Sequence, residues 1–460
     1  MNNILVIQLT RLGDIIQSIP LINSLKEKYP WVNIDLLINE VFIESSIFFT
    51  NINIIPISLK NLINPENNNY FNDLIKKLND KNYSLIINLN NSPLSINILS
   101  HLSCPEKRGF GTVGCEWGIY NIAFMKTRIF GSVNLVDIFR LFLDTIYTPS
   151  VGNAFIRSAL GKRNDAIFPE AERINPFPTD GKSTPCIALQ CGARNIKRQL
   201  TIQHYTDIAT HYLIKGYIVF LLGMEYETII AKKIIDSVFC IEKKNIINLT
   251  GKTSLKELIY IITKCERIFT PDTGSMHLAA LYNIPFTALF YGPAYPPETL
   301  AYTDNCEVFC PNPEAFACYP CNEEEECKYD FKCHHFNFQN YFIGKINPDF
   351  IKLNVKYDEI GQALSPTPEA ALLYRNFAKY YFLGLSEQEN QTYSNDLISS
   401  LKRELTLWSI IDKNDIELAT QNFNLLKPLL YYENLLQHYN TKSILITKAI
   451  EYFRKILTHP

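Results

Sequence analysis

The chain has 460 residues, of which 47% are hydrophobic and 20% charged, and its net charge is −2. This length exceeds what one hydrophobic core normally organises, so we expect two or three domains. The near-neutral charge argues against nucleic acid as the main partner. The apolar runs are too short to span a bilayer, and the run from Ile4 to Leu9 is too short for a signal peptide, so a cytoplasmic location is expected.

The first part of the chain alternates strand-like and helical patterns. Residues 3–9, 34–38 and 85–89 are apolar runs typical of buried parallel strands. Apolar side chains recur at helical spacing from Ile15 to Leu25, and Pro20 is expected to bend or restart that helix. Residues 1–165 are therefore predicted to form a Rossmann-like α/β domain.

A second series of alternating elements follows a Pro-containing stretch at about 169–178, which we interpret as a linker. It covers residues 183–345 and predicts a second Rossmann-like domain. Beyond it, residues 366–460 are rich in helix formers and aromatic residues and predict an all-helical extension. Two such α/β domains in tandem leave a cleft, and ligands of open α/β sheets bind beyond the carboxyl ends of the strands.

The run from Thr270 to Ala280 predicts a strand, a tight turn and a helix. Asp272, Thr273 and Gly274 supply small capping groups before the helical pattern, and His277 falls in its first turn. The free N–H groups and the positive end of such a helix favour a phosphate, and glycine lets a ligand approach closely. The alternative is that Asp272 only caps the helix.

Two further strand ends carry polar groups. Lys197 and Arg198 follow the strand at 186–190, and Glu227 follows the strand at 217–222, where a carboxylate can accept hydrogen bonds from ribose hydroxyls. A solvated basic turn is the simpler interpretation of Lys197 and Arg198 taken alone. Together with the Asp272 loop, the three strand ends predict a site for a nucleotide diphosphate sugar.

In the first domain, Asp14 lies in the turn between a strand and a helix, with Thr10, Arg11 and Gly13 of the same turn expected to face the cleft or the acceptor. Asp14 either caps the helix or acts as general base on an acceptor hydroxyl. A lysine and a helix dipole opposite it would stabilise a departing diphosphate. This chemistry needs no catalytic metal, and the chain has no Asp-x-Asp pair to hold one against a diphosphate.

These motifs, taken in order and together with Phe290-Tyr291-Gly292-Pro293, resemble the ADP-heptose:lipopolysaccharide heptosyltransferases, glycosyltransferase family 9, over roughly residues 1 to 345. The resemblance implies the GT-B fold and inverting transfer of heptose from ADP-heptose to a saccharide of the lipopolysaccharide core. It also allows a peripheral contact with the inner membrane and oligomers. The chain departs from the family at Gln199-Leu200, where an aromatic residue and a proline are usual.

The same resemblance implies a role for each matching residue, namely Asp14 as catalytic base, Lys197 with Arg198 on the phosphates, Glu227 on the ribose, and Asp272, Thr273, Gly274 and His277 in the nucleotide-sugar loop.

Cysteines are concentrated between residues 306 and 335. Four of them, Cys318, Cys321, Cys327 and Cys333, fall within sixteen residues and begin with a C-x-x-C pair, a spacing that suits a structural zinc or iron site. Reduced cysteines packed as small hydrophobic residues, or a redox pair, are the alternatives. A similar thiolate iron site marks the autotransporter heptosyltransferases, which modify proteins, so a protein acceptor is the second hypothesis.

A non-catalytic module that binds a nucleotide or a dinucleotide is a hypothesis of a different class. No G-x-G-x-x-G follows Ile4 to Leu9, which argues against the dinucleotide version.

Overall fold

The computed structural model describes residues 3–63, 68–90, 92–110, 134–136, 139, 142–143, 184–239, 241–301, 303–312, 315–316, 318–321 and 326–353. The predicted linker at 169–178, the helical extension at 366–460 and much of the end of the 1–165 domain lie outside the described residues. The described part forms two α/β units, each built on its own sheet.

The first unit has five parallel strands in the order β3-β2-β1-β4-β5. Its elements are β1 (Asn3–Ile7), α1 (Leu12–Gln17), α2 (Ile19–Lys28), β2 (Asn33–Asn39), a 3-10 segment (Glu40–Phe48), β3 (Asn53–Ile57), α3 (Leu59–Ile63), α4 (Asn68–Asn79), β4 (Leu85–Asn88), α5 (Pro93–His101) and β5 (Lys107–Gly109). The break predicted at Pro20 is confirmed, because α1 ends before Ser18 and Pro20 lies in the first turn of α2, where its missing N–H has no helical partner to lose.

The second unit has seven strands in the order β12-β11-β10-β9-β6-β7-β8. Its elements are β6 (Cys186–Gln190), α6 (Ile202–Ile214), β7 (Ile218–Leu222), α7 (Thr228–Ser237), β8 (Ile246–Asn248), α8 (Leu255–Lys264), β9 (Arg267–Pro271), α9 (Gly274–Leu281), β10 (Phe286–Leu289), α10 (Pro296–Thr299), β11 (Cys306–Pro311), α11 (Phe338–Phe342) and β12 (Phe350–Leu353). Every residue of β6 and β7 is buried, as parallel strands covered on both faces require. Among the strands that the structure describes, only β12 runs antiparallel to its neighbour.

The two units share a hydrophobic core. Ile16 and Ile19 of the first unit belong to the same buried cluster as Met276 of α9 and Leu300 beyond α10. Polar contacts add to the interface, since the Leu255 N–H donates to the Glu44 carboxylate at 2.7 Å. The helices that follow β1 and β9 therefore meet, and the carboxyl ends of the two sheets face a common space.

No helix in the described ranges combines the length and the hydrophobicity that crossing a membrane requires.

Candidate functional site

Asp14 lies in the first turn of α1 and is half-buried. Its Oδ2 accepts a hydrogen bond of 2.7 Å from the Thr10 hydroxyl, which in turn accepts one of 3.0 Å from the Asn90 side-chain amide. The N-cap position of α1 belongs to Arg11, which makes no side-chain capping bond. The contacts of Asp14 therefore orient its carboxylate from the side of β1 and β4 and do not assign it to helix capping.

Two residues that were not predicted as site residues support this carboxylate. Gln8 and Asn90 are buried at the carboxyl ends of β1 and β4, and Asn90 donates to both Gln8 Oε1 and Thr10 Oγ1. The signal that could have found them is a polar residue directly after each apolar strand. Parallel strands bring such residues together at one sheet edge.

His277 of α9 packs against Gly13 of α1. A Cβ placed on Gly13 would lie 2.7 Å from His277 Cδ2 and 3.2 Å from Nε2. Burial lowers the pKa of His277, while the nearby carboxylates of Asp272 and Asp14 raise it. The predicted donor loop and the predicted base therefore come together across the domain interface.

Asp272 forms a buried ion pair rather than a helix cap. Its Oδ2 lies 3.0 Å from Arg198 Nη1, and the two side chains are 7% and 11% exposed. The Thr299 hydroxyl donates to the same oxygen at 3.1 Å. The alternative that Asp272 only caps the helix is wrong, because the N-cap residue of α9 is Thr273. The Thr273 side chain makes no hydrogen bond to the helix. The N-terminus of α9 thus presents its N–H groups toward the cleft without a side-chain cap.

Glu227 is held in a closely fitted recess between the tips of β6 and β7. Its Oε2 accepts from the Met224 N–H at 2.7 Å and from Gln190 Nε2 at 3.3 Å. A Cβ on Gly192 or Gly223 would overlap its carboxylate. Burial raises the pKa of Glu227, although the bonds from Met224 and Gln190 lower it.

Gln190 links this carboxylate to the donor helix. While its Nε2 donates to Glu227, its Oε1 accepts a 2.6 Å hydrogen bond from Ser275 in the first turn of α9. Neither Gln190 nor Ser275 was predicted as a site residue. Their bridging position arises because β6 and β9 are neighbours in the sheet, which the sequence order hides.

Lys197 is buried in a 3-10 turn (Ile196–Arg198) that follows β6. Its N–H donates to Asn195 Oδ1 at 2.9 Å, and its carbonyl oxygen lies 2.9 Å from His334 Nε2. Gly292 at φ +58° packs on the same carbonyl, where a side chain would overlap it. The backbone of Lys197 is therefore fixed from three loops.

The four predicted metal ligands, Cys318, Cys321, Cys327 and Cys333, line one cavity of about 80 Å³, and Lys197 and His334 line it too. Burial raises the pKa of Cys333 to about 12, against a lowering hydrogen bond from Gly292, and the other three thiols raise it further. Over the residues described, no three His, Cys, Asp or Glu side chains are arranged as a ready ligand set. The four thiols thus line one cavity and have the chemistry that a soft cation prefers, but they do not have the arrangement of a complete set of metal ligands.

The structure brings together most of the predicted site. Gly13 contacts His277, Asp14 lies close to the same ring, and Thr10 bonds to Asp14. Asp272, Thr273 and Gly274 form the donor loop, to which Arg198 is joined by its ion pair and Glu227 through Gln190. Arg11 is exposed on the rim. Cys306 and Cys310 of the cysteine-rich segment are separate from the four thiols, since both belong to β11.

Comparison with known proteins covers this same region. The model of glycosyltransferase family 9 (heptosyltransferase) matches residues 71–330, more than half of the chain. The lipooligosaccharide heptosyltransferase 2 of Haemophilus influenzae is 33% identical over 105 residues, which are 23% of this chain and 30% of that protein. The chain thus aligns with less than a third of the length of the first curated relatives it matches.

Two solved structures share the fold. The E. coli heptosyltransferase WaaC with ADP has a TM-score of 0.50 and 16% identity, covering 66% of this chain and 92% of its own. A family 9 glycosyltransferase from Veillonella parvula has a TM-score of 0.50 and 19% identity, covering 67% of this chain and 85% of its own. These similarities confirm the predicted GT-B arrangement of two α/β domains. The extent of the family match and the fold together place the chain in glycosyltransferase family 9, the heptosyltransferases.

Proposed function

We propose that the chain is an inverting glycosyltransferase that transfers a heptose from ADP-heptose to a hydroxyl of a saccharide like the lipopolysaccharide core. The observation that supports this most directly is the packing of His277 on Gly13, which sets the Asp14 carboxylate beside the N-terminus of α9. A base and an anion-binding helix then face each other across one cleft.

In the proposed reaction, Asp14 removes the proton of the acceptor hydroxyl while that oxygen attacks the anomeric carbon of the heptose. The bond between this carbon and the diphosphate oxygen breaks, and ADP leaves with the electron pair. Attack from the face opposite ADP inverts the anomeric centre. The Thr10 hydroxyl, at 2.7 Å from Asp14 Oδ2, keeps the carboxylate oriented.

The donor side supplies positive potential where charge develops on the leaving group. Lys197 and the N-terminus of α9 are the proposed diphosphate ligands. The pair of Arg198 and Asp272 shapes the loop between them, because each side chain already satisfies the other at 3.0 Å. No catalytic metal is proposed, since these groups provide the charge stabilisation themselves.

Glu227 is the proposed acceptor of ribose hydroxyl hydrogen bonds. Gly192 and Gly223 leave space only for this carboxylate, and the chain from Ser275 through Gln190 to Glu227 ties it to α9. A carboxylate fixed in this way can select a nucleoside with both ribose hydroxyls.

We further propose that Cys318, Cys321, Cys327 and Cys333 close on one structural zinc or iron ion. A cavity of about 80 Å³ surrounded by four thiols suits a tetrathiolate site. Among the described residues, the buried Tyr291 hydroxyl has no hydrogen-bond partner, and Cys333 adds to the effect of burial in raising the pKa of Tyr291. A metal-bound thiolate beside it would accept that hydrogen bond much better than a thiol does. Such an ion would supply cross-linking of the segment and no step of the reaction.

A protein acceptor is the second candidate, and the shared cavity of the four thiols is the observation that favours it, because a thiolate iron site resembles that of the autotransporter heptosyltransferases. For both candidates the proposed location is the cytoplasm. A peripheral contact with the inner membrane and an oligomer are compatible with either acceptor.

In the deciding experiment, the purified chain is incubated with labelled ADP-heptose and either a lipopolysaccharide core that can accept heptose or a cell lysate. The label is then located. Label in the core saccharide supports the leading proposal, whereas label in a protein band supports the second. ADP, UDP and NAD are compared in parallel by thermal protection. Protection by NAD alone would overturn the transferase proposal.

A further inference from the structure

His334 connects the cysteine-rich segment to the donor side of the cleft. It lies in a 3-10 turn (Lys332–His334) directly after Cys333 and is only 4% exposed. Its Nε2 lies 2.9 Å from the carbonyl oxygen of Lys197, 137 residues earlier in the chain. A carbonyl can only accept, so the imidazole donates this bond from Nε2–H.

The imidazole is itself held on its face. Its ring stacks on that of Tyr291, with centroids 4.6 Å apart and an angle of 22° between the planes. Tyr291 precedes Gly292, which packs against the same Lys197 carbonyl. The Cys321 N–H donates to the Gly292 carbonyl at 3.1 Å. The cysteine-rich segment therefore contacts the turn that carries Lys197 directly through His334, and indirectly through Cys321 and Gly292.

These contacts act on the backbone of Lys197, and the backbone conformation at this residue sets the direction of its side chain. The turn is only three residues long, and the Lys197 N–H already donates to Asn195. The peptide plane after Lys197 is held by two hydrogen bonds, because the Arg198 N–H also donates to the Asn195 carbonyl at 2.9 Å. Loss of the His334 bond removes one of the two, so the direction of the Lys197 side chain would be less tightly fixed.

We propose that His334 is a positioning residue for the donor diphosphate: its hydrogen bond to the Lys197 carbonyl aims Lys197, so that the cysteine-rich segment is part of the donor site. This inference rests on the proposed use of Lys197 as a diphosphate ligand. A purely structural His334 would stabilise the fold without discriminating between ligands. The two roles differ in whether the effect depends on the phosphates.

The test uses His334→Phe, which retains a flat ring against Tyr291 but has no N–H donor, and His334→Gln, whose amide can replace Nε2. His335→Phe is the matched control, because His335 is the exposed neighbour. Affinities for ADP and for adenosine are measured by calorimetry on the full chain. One lost hydrogen bond predicts about a five- to tenfold weaker binding of ADP by His334→Phe, with adenosine unchanged. His334→Gln recovers most of the loss, and His335→Phe binds like the parent.

A double substitution completes the test. If His334 acts through Lys197, His334→Phe weakens ADP binding in the parent but has no further effect in Lys197→Ala. Equal losses for ADP and adenosine, or equal losses in both backgrounds, would overturn the positioning role. If the parent binds ADP and His334→Phe binds it equally tightly, this inference alone is overturned. Failure of the parent to bind ADP would overturn the proposed function and this inference together.

Discussion

Gly13 and His277 are in contact across the two domains, and the space between them is too small for a methyl group. A Cβ on Gly13 would lie 2.7 Å from His277 Cδ2, closer than real Cβ contacts come. The nearest comparable glycine, Gly274, would place its Cβ at 3.4 Å from Leu12 Cδ2, which is ordinary contact. The interface beside Asp14 therefore depends on glycine at position 13 more than at position 274.

Gly13→Ala should disturb this interface. Overpacking of this kind typically costs about 1–3 kcal/mol, so we expect a lower midpoint of thermal unfolding and reduced transfer. Gly274→Ala is the control for thermal stability only, because its added methyl fits. Since Gly274 belongs to the proposed donor loop, its alanine variant is expected to weaken ADP binding instead. Equal melting temperatures for the parent and Gly13→Ala would contradict the tight fit.

Asp14→Asn tests the base. The asparagine oxygen can still accept from the Thr10 hydroxyl, so the turn is expected to fold normally. Turnover should fall by roughly two to four orders of magnitude, the usual range for loss of a general base. Affinity for ADP, measured by calorimetry, should be close to that of the parent. A variant with unchanged turnover would show that Asp14 is not the base.

Glu227→Gln tests a pH dependence. Because burial raises the pKa of Glu227, the folded chain binds this proton more tightly than the unfolded chain. Stability from this group is therefore present at low pH and lost as pH rises from the ordinary carboxyl value of 4.5 through the raised pKa. Relative to Glu227→Gln, the parent should lose thermal stability over that interval while binding ADP more tightly at pH 7.

The neighbouring Glu225 offers a matched control, since it is exposed in the same short turn. The melting temperature of Glu225→Gln should follow that of the parent across the same pH series. Parallel curves for the parent and Glu227→Gln would show that the buried carboxylate does not titrate differently on folding.

Arg198→Met tests the buried ion pair with Asp272. Removing one partner leaves a buried carboxylate with less compensation, which typically costs about 3 kcal/mol of unfolding free energy. Denaturant titration should detect this loss, whereas Arg194→Met, at an exposed position of the same loop, should have little effect. The double variant Arg198→Met/Asp272→Leu should recover part of the stability. No recovery would mean that the arginine stabilises the loop through other contacts.

Cys321→Ser tests the proposed metal site. Purified parent protein is expected to carry close to one equivalent of zinc or iron, and iron would show a thiolate charge-transfer absorption. Cys321→Ser should lose the metal and melt at a lower temperature. Cys104→Ser is the control, because the Cys104 thiol lies within hydrogen-bond distance of the Tyr83 and Glu106 carbonyls and a serine hydroxyl can donate to either one. Metal-free parent protein of full stability, prepared without chelators, would disprove the site.

Local sequence determined much of this protein. The apolar runs predicted β1, β2, β4, β6, β7 and β9 and the helix restart at Pro20, since hydrophobic periodicity and proline act over a few residues. The strands β3, β5, β11 and β12 were not predicted. The ordered motifs from Asp14 to His277 also indicated the family, because their residue types are constrained by the ligand chemistry.

Only the tertiary structure decided which of these residues meet. The ion pair of Arg198 with Asp272 joins positions 74 residues apart. The bridge from Ser275 through Gln190 to Glu227 spans separations of 85 and 37 residues. The bond from His334 to Lys197 spans 137 residues. The first two follow from the strand order β9-β6-β7, which places β6 beside β9 although two strands, β7 and β8, lie between them in the sequence. The sequence pattern of a strand specifies its burial and not its neighbour, so such contacts are set by how the whole sheet packs.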